Sequence, residues 1–282
     1  LPSQNGPMTP EYEASWKSNY AALRQEQRQT NKGTIRDLND EPALSVDDDA
    51  RLRMYEQRWD IGGAGFLSSF NDLLVNNSAN DTAAEFVRNK IRSIVNDAET
   101  AELLAPKTYP IGTKRICIDS GYFETFNRDN VDLVDISSSP VERLNSSGLV
   151  VNDVSYEFDA IVFATGFDAM TGTLFNVDIA GRGAKRLREK WQAGPRTYLG
   201  LMSADFPNLF MITGPGSPSV LSNMLVSIEQ HVEWVTNTIE YMRDNQLRLM
   251  EPELNAEDEW VEHVNVVAHT TLFPQANSWY MG

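Results

Sequence analysis

The segment at residues 214–222, Gly-Pro-Gly-Ser-Pro-Ser-Val-Leu-Ser, concentrates residue types that favour turns and leave backbone N–H groups exposed. It follows a short apolar run at 209–212, which predicts a buried strand, and it precedes a helical pattern at 228–242. Loops between a strand and a helix often bind ligands, because free N–H groups and the positive end of the helix dipole meet there. The pattern therefore predicts a ligand-binding loop, with an ordinary connection between two elements as the alternative.

A second glycine-rich segment, Gly-Gly-Ala-Gly at 62–65, has the composition of a dinucleotide-binding loop. Such a loop must follow a buried strand directly, so that the turn presents pyrophosphate to the start of a helix. The preceding residues 56–60 are Glu-Gln-Arg-Trp-Asp, which are too polar for a buried strand. We therefore predict a turn between two helices at this point.

Capping signals and apolar periodicity predict helices throughout the first third of the chain. Thr9 followed by Pro10 marks the start of the first helix, and Ser45 followed by Asp48 marks the start of the second. The predicted helices are 9–23, 45–59, 66–75, 81–95 and 97–104, followed later by 185–191, 228–242 and 256–271.

Strand-like patterns begin after Lys107. Residues 141–144, 148–151 and 154–158 predict a small meander with a turn at 145–148. Residues 159–167 have an unbroken apolar core that ends in small residues, which is typical of a strand buried on both faces of a parallel sheet and close to a cofactor. Further strands are predicted at 114–119, 130–136, 197–202 and 209–212.

Composition limits the class of function. The chain has 282 residues, a net charge of −16 and no stretch of eighteen consecutive apolar residues, so we expect a protein that binds neither nucleic acid nor membrane. The single cysteine, Cys117, excludes an internal disulfide and any cysteine-based zinc site, and it favours a reducing, cytoplasmic setting. His231, His263 and His269 lie in helical patterns without metal-ligand spacing, which predicts packing or surface roles and no metal site.

Several further motifs are spread over essentially the whole chain. They are Gly112-Thr-Lys-Arg115, Phe126-Asn-Arg-Asp-Asn130, Ala164-Thr-Gly-Phe-Asp168, Glu189-Lys-Trp-Gln-Ala-Gly-Pro-Arg-Thr-Tyr-Leu-Gly200, Asp258-Glu-Trp-Val-Glu-His-Val264 and Ser278-Trp-Tyr280. Together with the 214–222 loop, they closely resemble the Baeyer–Villiger monooxygenases, and within that family the subgroup of phenylacetone and steroid monooxygenases. Ala-Thr-Gly alone is found in many flavoproteins, whereas the combined set is highly specific.

The resemblance implies an α/β fold that is part of a flavoprotein with two dinucleotide-binding domains and an all-helical insertion. Residues 1–108 would be the helical insertion of the NADPH domain, and residues 109–165 the returning part of the NADPH-binding domain. Residues 166–282 would be the second segment of the FAD-binding domain, including the substrate loop and the start of the mobile lid loop. The family's two Gly-x-Gly-x-x-Gly loops and its Phe-x-Gly-x-x-x-His-x-x-x-Trp fingerprint do not occur here. We therefore expect a partial chain that is inactive on its own.

The reaction implied by the resemblance inserts one oxygen atom of O2 beside a ketone carbonyl and gives an ester or lactone. NADPH reduces FAD, and O2 then gives an anionic flavin peroxide that attacks the carbonyl. The resemblance gives Arg115 the catalytic role of stabilising this charge next to the cofactors, which suits a guanidinium because it keeps its proton. It gives Lys114 the 2′-phosphate of NADPH, where a compact positive charge is sufficient.

The remaining site residues also come from the resemblance. The positions that match the flavin contacts are Asn223, Met224 and Leu225, and the positions that match the substrate rim are Ser219, Val220, Leu221 and Met224. Trp279 matches an indole that contacts the nicotinamide nucleotide. Met224 and Leu225 as ordinary core residues are an alternative that the residues leave open. The alternative functions are a related N- or S-oxygenating flavin monooxygenase and an inert fragment; the context of Arg115 and of the 217–221 rim argues against the first.

Overall fold

The computed structural model describes residues 1–3, 6–35, 38–278 and 280 of the chain. The helices in these ranges are α1 (Pro10–Ser18), α2 (Tyr20–Arg28), α3 (Asp48–Ile61), α4 (Asn77–Ile94), α5 (Ala98–Leu104), α6 (Tyr122–Thr125), α7 (Gly172–Phe175), α8 (Leu187–Lys190), α9 (Met224–Asp244) and α10 (Leu254–His269). The strands are β1 (Val141–Leu144), β2 (Gly148–Val151) and β3 (Val154–Glu157). No helix formed by the described residues combines the length and the apolar character of a membrane span.

The first predicted helix is present but divided. Thr9 Oγ1 accepts a hydrogen bond from Tyr12 N at 3.2 Å, and Pro10 is the first residue of α1, as predicted. The helix is interrupted at Asn19, after which α2 begins. Neither α1 nor α2 contains a buried residue, so tertiary packing does not hold them in one continuous helix.

Helices α3 and α4 begin at caps that differ from the predicted ones. Asp47, and not Ser45, caps α3, since its Oδ1 accepts a hydrogen bond from Ala50 N at 2.7 Å. Helix α4 begins four residues before the predicted position 81, because Asn76 already caps it. The last residue of α3 is Ile61, so no strand precedes the glycines at 62–65, and the predicted turn between helical segments is confirmed.

The predicted helix at 66–75 is wrong: these residues complete the 3-10 helix Gly63–Ser68 and then form turns. Ser69 donates its N–H and its hydroxyl to Phe66 O, at 3.0 and 2.6 Å. Asn71 N donates to Glu41 O, outside the segment, at 3.2 Å. These bonds occupy the groups that an α-helix would need, and such local competition is typical of Ser and Asn.

An aromatic cluster fastens α3 to α4 and to the 3-10 helix between them. The ring of Tyr55 lies 5.5 Å from Phe66, 5.5 Å from Phe70 and 5.4 Å from Phe86. All four side chains are buried. The Tyr55 hydroxyl keeps a hydrogen-bond partner, Thr82 Oγ1, at 2.8 Å. Burial of each large apolar side chain stabilises the folded state by about 1.5–3 kcal/mol. The cluster therefore stabilises the packing of α3 against α4 and the 3-10 helix.

The predicted meander is confirmed. Strands β1, β2 and β3 form one antiparallel sheet in that order, with Val141 opposite Val151 and Gly148 opposite Glu157. Asn145 closes the first turn, because its Oδ1 accepts from Gly148 N at 2.7 Å.

The other predicted strands are wrong in the described part of the chain. Residues 114–119, 130–136, 159–167, 197–202 and 209–212 contain only two isolated bridges, Pro2 with Asp119 and Tyr198 with Met202. A strand requires a neighbour that pairs with its N–H and C=O groups, and the described residues offer none to these apolar runs. Val162 and Phe163 are consequently 87% and 64% exposed, although their pattern is that of a strand buried on both faces.

A second core joins α8 to α10 around a buried ion pair. Lys190 Nζ lies 2.7 Å from Glu257 Oε2, and their side chains are only 5% and 0% exposed. Ala204 N also donates to Glu257 Oε2, at 2.8 Å, and Lys190 donates to Ala204 O, at 2.6 Å. The charges are thus hydrogen-bonded as well as paired, which is what burial of charge requires. The buried apolar cluster of this core consists of Leu187, Trp191, Phe206 and Met211, and the ring of Phe206 lies 5.9 Å from Lys190 Nζ.

Candidate functional site

Helix α9 starts directly after the 214–222 loop and directs its unpaired N–H groups toward the end of that loop. Asn223 caps the helix, since its Oδ1 accepts from Leu225 N at 3.2 Å. The first turn contains no acidic residue. The partial positive charge of the helix N-terminus is therefore not neutralised within that turn, and an anion would be favoured nearby.

The turn after α2 is fixed to this helix start. Asn223 N donates to Lys32 O at 2.7 Å. Gly33 has φ +62°, and a Cβ there would lie 3.2 Å from Val226 Cβ, so both the backbone conformation and the close approach favour glycine. Arg28 adds an ion pair to Glu233, at 2.7 Å, between α2 and α9. The first and last thirds of the chain thus meet at the candidate site.

The segment that leads to Lys114 and Arg115 is held by hydrogen bonds from Asn80 of α4. The buried side chain of Asn80 accepts from Ile111 N at 2.9 Å and donates to Ile111 O at 2.9 Å and to Leu73 O at 2.7 Å. Its amide thereby pairs with both backbone polar groups of residue 111. The turn at Gly112 rests on leucine side chains, since a Cβ there would lie 2.8 Å from Leu67 and Leu74.

Asn80→Ala is expected to lower the free energy of unfolding by about 2–4 kcal/mol, because it leaves one buried donor and two acceptors without partners. Urea denaturation followed by circular dichroism measures this change. The matched control is Asn89→Ala on the exposed face of the same helix, for which we expect about 0.5 kcal/mol or less. Equal losses for the two variants would show that Asn80 does not anchor residue 111.

One cavity of about 490 Å³ joins these parts. Lys114 and Arg115 line one side, and the end of the 214–222 loop with the start of α9 lines another. The lining residues are Lys32, Thr34, Leu67, Leu74, Gly112, Lys114, Arg115, Ile116, Val220, Leu221, Ser222, Asn223, Met224, Phe273 and Tyr280. The structure therefore brings together residues that are more than a hundred positions apart in the sequence.

The charge of this lining is opposite to that of the protein. Its described residues include three cations, Lys32, Lys114 and Arg115, and no carboxylate, whereas the chain has a net charge of −16. Lys114 Nζ lies 4.5 Å from the centre of the Tyr109 ring, which holds the ammonium in place. The Arg115 guanidinium has no hydrogen-bond or ion-pair partner within the described ranges. Such a donor set fits the phosphates of an anionic dinucleotide.

A second cavity of about 630 Å³ is also lined by the 3-10 helix Ser219–Leu221. Ser219, Val220 and Leu221 line it, together with Phe273 and Tyr280, whose rings are 5.8 Å apart. Val220 and Leu221 also line the first cavity, as do Phe273 and Tyr280, so this short helix forms part of the partition between the two spaces.

Most of the predicted site residues therefore lie around these cavities. Leu225 is an exception, since it is 73% exposed and is not among the described lining residues. Trp279 lies outside the described residues. Lys32 was not predicted as a site residue from the sequence. The one available signal was its position next to Gly33, whose φ is positive in the structure. Met224 is 37% exposed, which contradicts the alternative that it is an ordinary core residue.

His231 supports the start of the loop from α9. Its Nδ1 accepts a hydrogen bond from Thr213 N at 3.0 Å, and the ring is buried. Thr213 has φ +51°, an unfavourable conformation for a β-branched residue, so this bond stabilises a strained turn. Burial lowers the pKa of His231. The packing role predicted for His231 is confirmed.

His263 lies against Trp260, and no group of three or more possible metal ligands occurs in the described residues.

The lowered pKa of His231 predicts a pH dependence of stability. The unfolded chain takes up a proton near pH 6.5, whereas the folded chain takes it up only at lower pH, so the free energy of unfolding is expected to fall as pH decreases below about 6.5. His231→Asn, which keeps an acceptor near the Thr213 N–H, should reduce this dependence. Urea denaturation between pH 7 and pH 5 measures it, with the exposed-residue variant His269→Asn as control. A slope that changes equally in both variants would contradict the assignment.

Comparison with known proteins covers the whole chain. No family model matches it. The chain is 38% identical over 281 residues to the 2-oxo-Delta(3)-4,5,5-trimethylcyclopentenylacetyl-CoA monooxygenase of Pseudomonas putida, which covers 99% of the chain and 52% of that protein. A solved structure of oxidised steroid monooxygenase bound to NADP is 46% identical, with a TM-score of 0.93 over 100% of this chain and 54% of that one. A complex of OTEMO with FAD and NADP is 38% identical, with a TM-score of 0.96 over 99% and 53%.

These neighbours confirm the predicted α/β fold class and place the chain among the flavoprotein monooxygenases with two dinucleotide-binding domains. Within that class it belongs to the Baeyer–Villiger monooxygenase family, as its motifs predicted. The chain spans about half the length of the relatives that it matches. A phenazine N-monooxygenase of Lysobacter antibioticus also matches, with 34% identity over 285 residues, 100% of this chain and 52% of that protein.

Proposed function

We propose that this chain supplies the NADPH-facing and ketone-facing wall of an enzyme that performs Baeyer–Villiger oxidation. In this reaction one oxygen atom of O2 enters beside a ketone carbonyl and gives an ester or lactone. One observation carries the proposal: six residues that the family motifs assign to cofactors and ketone line a single cavity, namely Lys114, Arg115, Val220, Leu221, Asn223 and Met224.

The proposed domain assignment follows the family. Residues 1–108 would be the helical insertion of the NADPH domain, residues 109–165 its returning part, and residues 166–282 the second segment of the FAD domain. Helices α1–α5 all lie in the first of these ranges, which supports its helical character. The exposed apolar run at 159–167 supports a position in a larger sheet, because its sequence is that of a strand with neighbours on both sides.

The proposed cofactors are FAD and NADPH. When bound, they would supply the redox chemistry by which O2 is divided between substrate and water. The three cations of the first cavity and the start of α9 fit anionic groups of this kind. Lys114 would bind the 2′-phosphate of NADPH, and Asn223, Met224 and Leu225 would contact FAD. For Trp279, a contact to the nicotinamide nucleotide is proposed from the motif alone.

Arg115 would stabilise negative charge that develops at the reacting centre. A guanidinium is suited to this because it remains protonated and does not transfer its proton to a basic neighbour. Its position on a cavity wall, without an internal carboxylate partner in the described residues, supports availability of its charge to a ligand. Preorganised charge of this kind lowers barriers without reorganisation during the reaction.

The ketone would lie against Ser219, Val220, Leu221 and Met224. Three of these side chains are apolar, and Leu221 and Met224, which line the first cavity, are 47% and 37% exposed. An apolar rim beside a cationic wall suits a neutral substrate next to charged cofactors, and it limits the entry of water. We also propose a cytoplasmic setting, which the free and exposed Cys117 supports.

Substrate competition tests this function against N-oxygenation, which the phenazine N-monooxygenase match keeps as the second candidate. The FAD-loaded holoenzyme that contains this chain receives NADPH, O2 and either a panel of cyclic and aryl ketones or a panel of aromatic nitrogen heterocycles. We expect esters or lactones, with the best ketone exceeding the best heterocycle at least about tenfold in kcat/KM, roughly 1.4 kcal/mol in transition-state stabilisation. N-oxides as the preferred products would overturn the proposal.

A further inference from the structure

Two of the sequence motifs have no part in the proposed function, those at 189–200 and 258–264. In the structure they hold the base of the 214–222 loop from two sides. Thr197 Oγ1 donates to Pro215 O at 2.6 Å, and Trp260 Nε1 donates to Gly216 O at 3.1 Å. Two successive carbonyl groups of the loop are therefore fixed by side chains from two different segments.

The contact between these segments and the loop is too close to tolerate an added side chain. Gly216 has φ +78°, and a Cβ there would lie 3.0 Å from Thr197 Oγ1 and 3.6 Å from Trp260 Nε1. A Cβ on Gly200 would lie 2.5 Å from Ser217 Cβ, and Gly214 N donates to Gly200 O at 3.1 Å. The backbone at residues 214–217 packs directly against the backbone at residue 200, so this part of the loop has little room to shift.

The residues that hold the loop are themselves anchored. Trp191 Nε1 and Ser203 Oγ both donate to Arg196 O, at 2.9 and 2.8 Å, next to Thr197. Trp260 stands one helical turn after Glu257, whose carboxylate forms the fully buried ion pair with Lys190. The two hydrogen bonds to the loop therefore start from residues that lie next to anchored groups of the second core.

Residues 217–222, which follow the two bonded carbonyl groups, form few backbone hydrogen bonds to other segments. Between Gly216 and Asn223, the described backbone hydrogen bonds are local, such as Leu221 N to Pro218 O at 3.0 Å. Ser219 has φ +41°, an uncommon conformation for a residue with a side chain. The position of residues 219–221 is thus set at two ends, by the Thr197 and Trp260 bonds at one and by the Asn223 bond to Lys32 O at the other.

We propose that Trp260 and Thr197 are positioning residues that fix the partition between the two cavities and thereby determine which side of the ketone carbonyl receives the oxygen atom. This inference rests on the proposed function. Both residues line the second cavity but not the one that contains Arg115, and both hold loop carbonyl groups, those of Pro215 and Gly216. A shift of the partition would change the space on each side of Val220 and Leu221, because both side chains line both cavities.

The test uses Trp260→Phe, which keeps an aromatic ring and removes the N–H, and Thr197→Val, which keeps the shape and removes the hydroxyl. The matched control is Trp234→Phe on α9, where the indole packs edge to face on Phe210, 6.2 Å away, and does not bond to the loop. Hydrogen–deuterium exchange of the 214–222 peptide is measured for each variant, together with the ratio of the two ester isomers formed by the holoenzyme from an unsymmetrical ketone.

We expect exchange of this peptide to rise about five- to tenfold in Trp260→Phe and Thr197→Val, as for loss of one net hydrogen bond, and to stay unchanged in Trp234→Phe. The isomer ratio should change at least about threefold in the first two variants with the KM for NADPH unaltered, since Lys114 is not disturbed. Unchanged exchange would overturn the positioning role, and faster exchange with an unchanged ratio would overturn the link to selectivity. If the wild-type holoenzyme oxygenates no ketone, the proposed function fails, while exchange still decides whether the two residues hold the loop.

Discussion

Replacing Arg115 with alanine in the FAD-loaded holoenzyme is expected to lower kcat for ketone oxygenation by about 10²–10³-fold, the loss typical for removal of one preorganised charge-stabilising donor. Arg115 lines the cavity opposite the start of α9, and no described carboxylate neutralises it. Arg115→Lys keeps a positive charge but can release a proton, so its kcat should lie between those of the wild type and the alanine variant. Steady-state formation of ester, measured by gas chromatography, gives these rates.

Two controls separate this effect from a general loss of charge. Arg128→Ala removes an exposed cation outside the cavity and should leave kcat within about twofold of the wild type, as for surface substitutions in general. Lys114→Ala should instead raise the KM for NADPH, because it removes a contact to the cofactor and not to the reacting centre. A kcat of Arg115→Ala equal to that of Arg128→Ala would remove Arg115 from the mechanism.

Glu257→Gln is expected to lower the free energy of unfolding by about 3–5 kcal/mol, the second large effect that the structure predicts. The variant leaves the Lys190 ammonium, whose side chain is 5% exposed, without its counter-charge. It also weakens the acceptor of the Ala204 N–H, 2.8 Å away. Urea denaturation followed by tryptophan fluorescence measures the loss, because Trp191 lies in the same core.

The neighbouring residue provides the control. Asp258 pairs with Arg196 on the surface, where the side chains are 52% and 38% exposed. Asp258→Asn should cost no more than about 1 kcal/mol, since solvent screens an exposed pair. The double replacement Lys190→Met with Glu257→Leu should recover much of the loss, because no unpaired charge stays buried. Similar losses for Glu257→Gln and Asp258→Asn would show that burial of the pair has no energetic consequence.

The elements that the sequence predicted correctly are those that depend on local bonds. The meander is one example, since its turn is closed by Asn145, and α9 is another, since Asn223 and an apolar stripe define it. The wrong strands, such as 159–167, have the right local pattern but lack a pairing neighbour among the described residues. The periodicity of apolar residues indicates which side chains are buried. It does not indicate whether a neighbouring strand is available for backbone pairing.

The candidate site shows the same division. The family motifs predicted Lys114, Arg115, residues 219–221 and residues 223–225 as site residues, although these are far apart in the chain, and most of them line the two cavities. Lys32, Asn80 and Trp260 were not found, because their roles depend on single contacts across long sequence separations. Asn80 illustrates this: its side chain bonds to Ile111, 31 positions away, and no local pattern predicts that contact.

We propose that this chain belongs to an enzyme that transfers one oxygen atom from O2 to a ketone at a site bordered by Arg115 and the 214–222 loop. The most direct measurement supplies the FAD-loaded holoenzyme with NADPH, an unlabelled ketone and ¹⁸O-labelled O2 and analyses the product by mass spectrometry. We predict an ester or lactone with one ¹⁸O atom, located between the former carbonyl carbon and its substituent, and formation of the same labelled product by Arg115→Ala at a rate about 10²–10³-fold lower. Consumption of NADPH without labelled ester from any ketone of the panel would contradict the account.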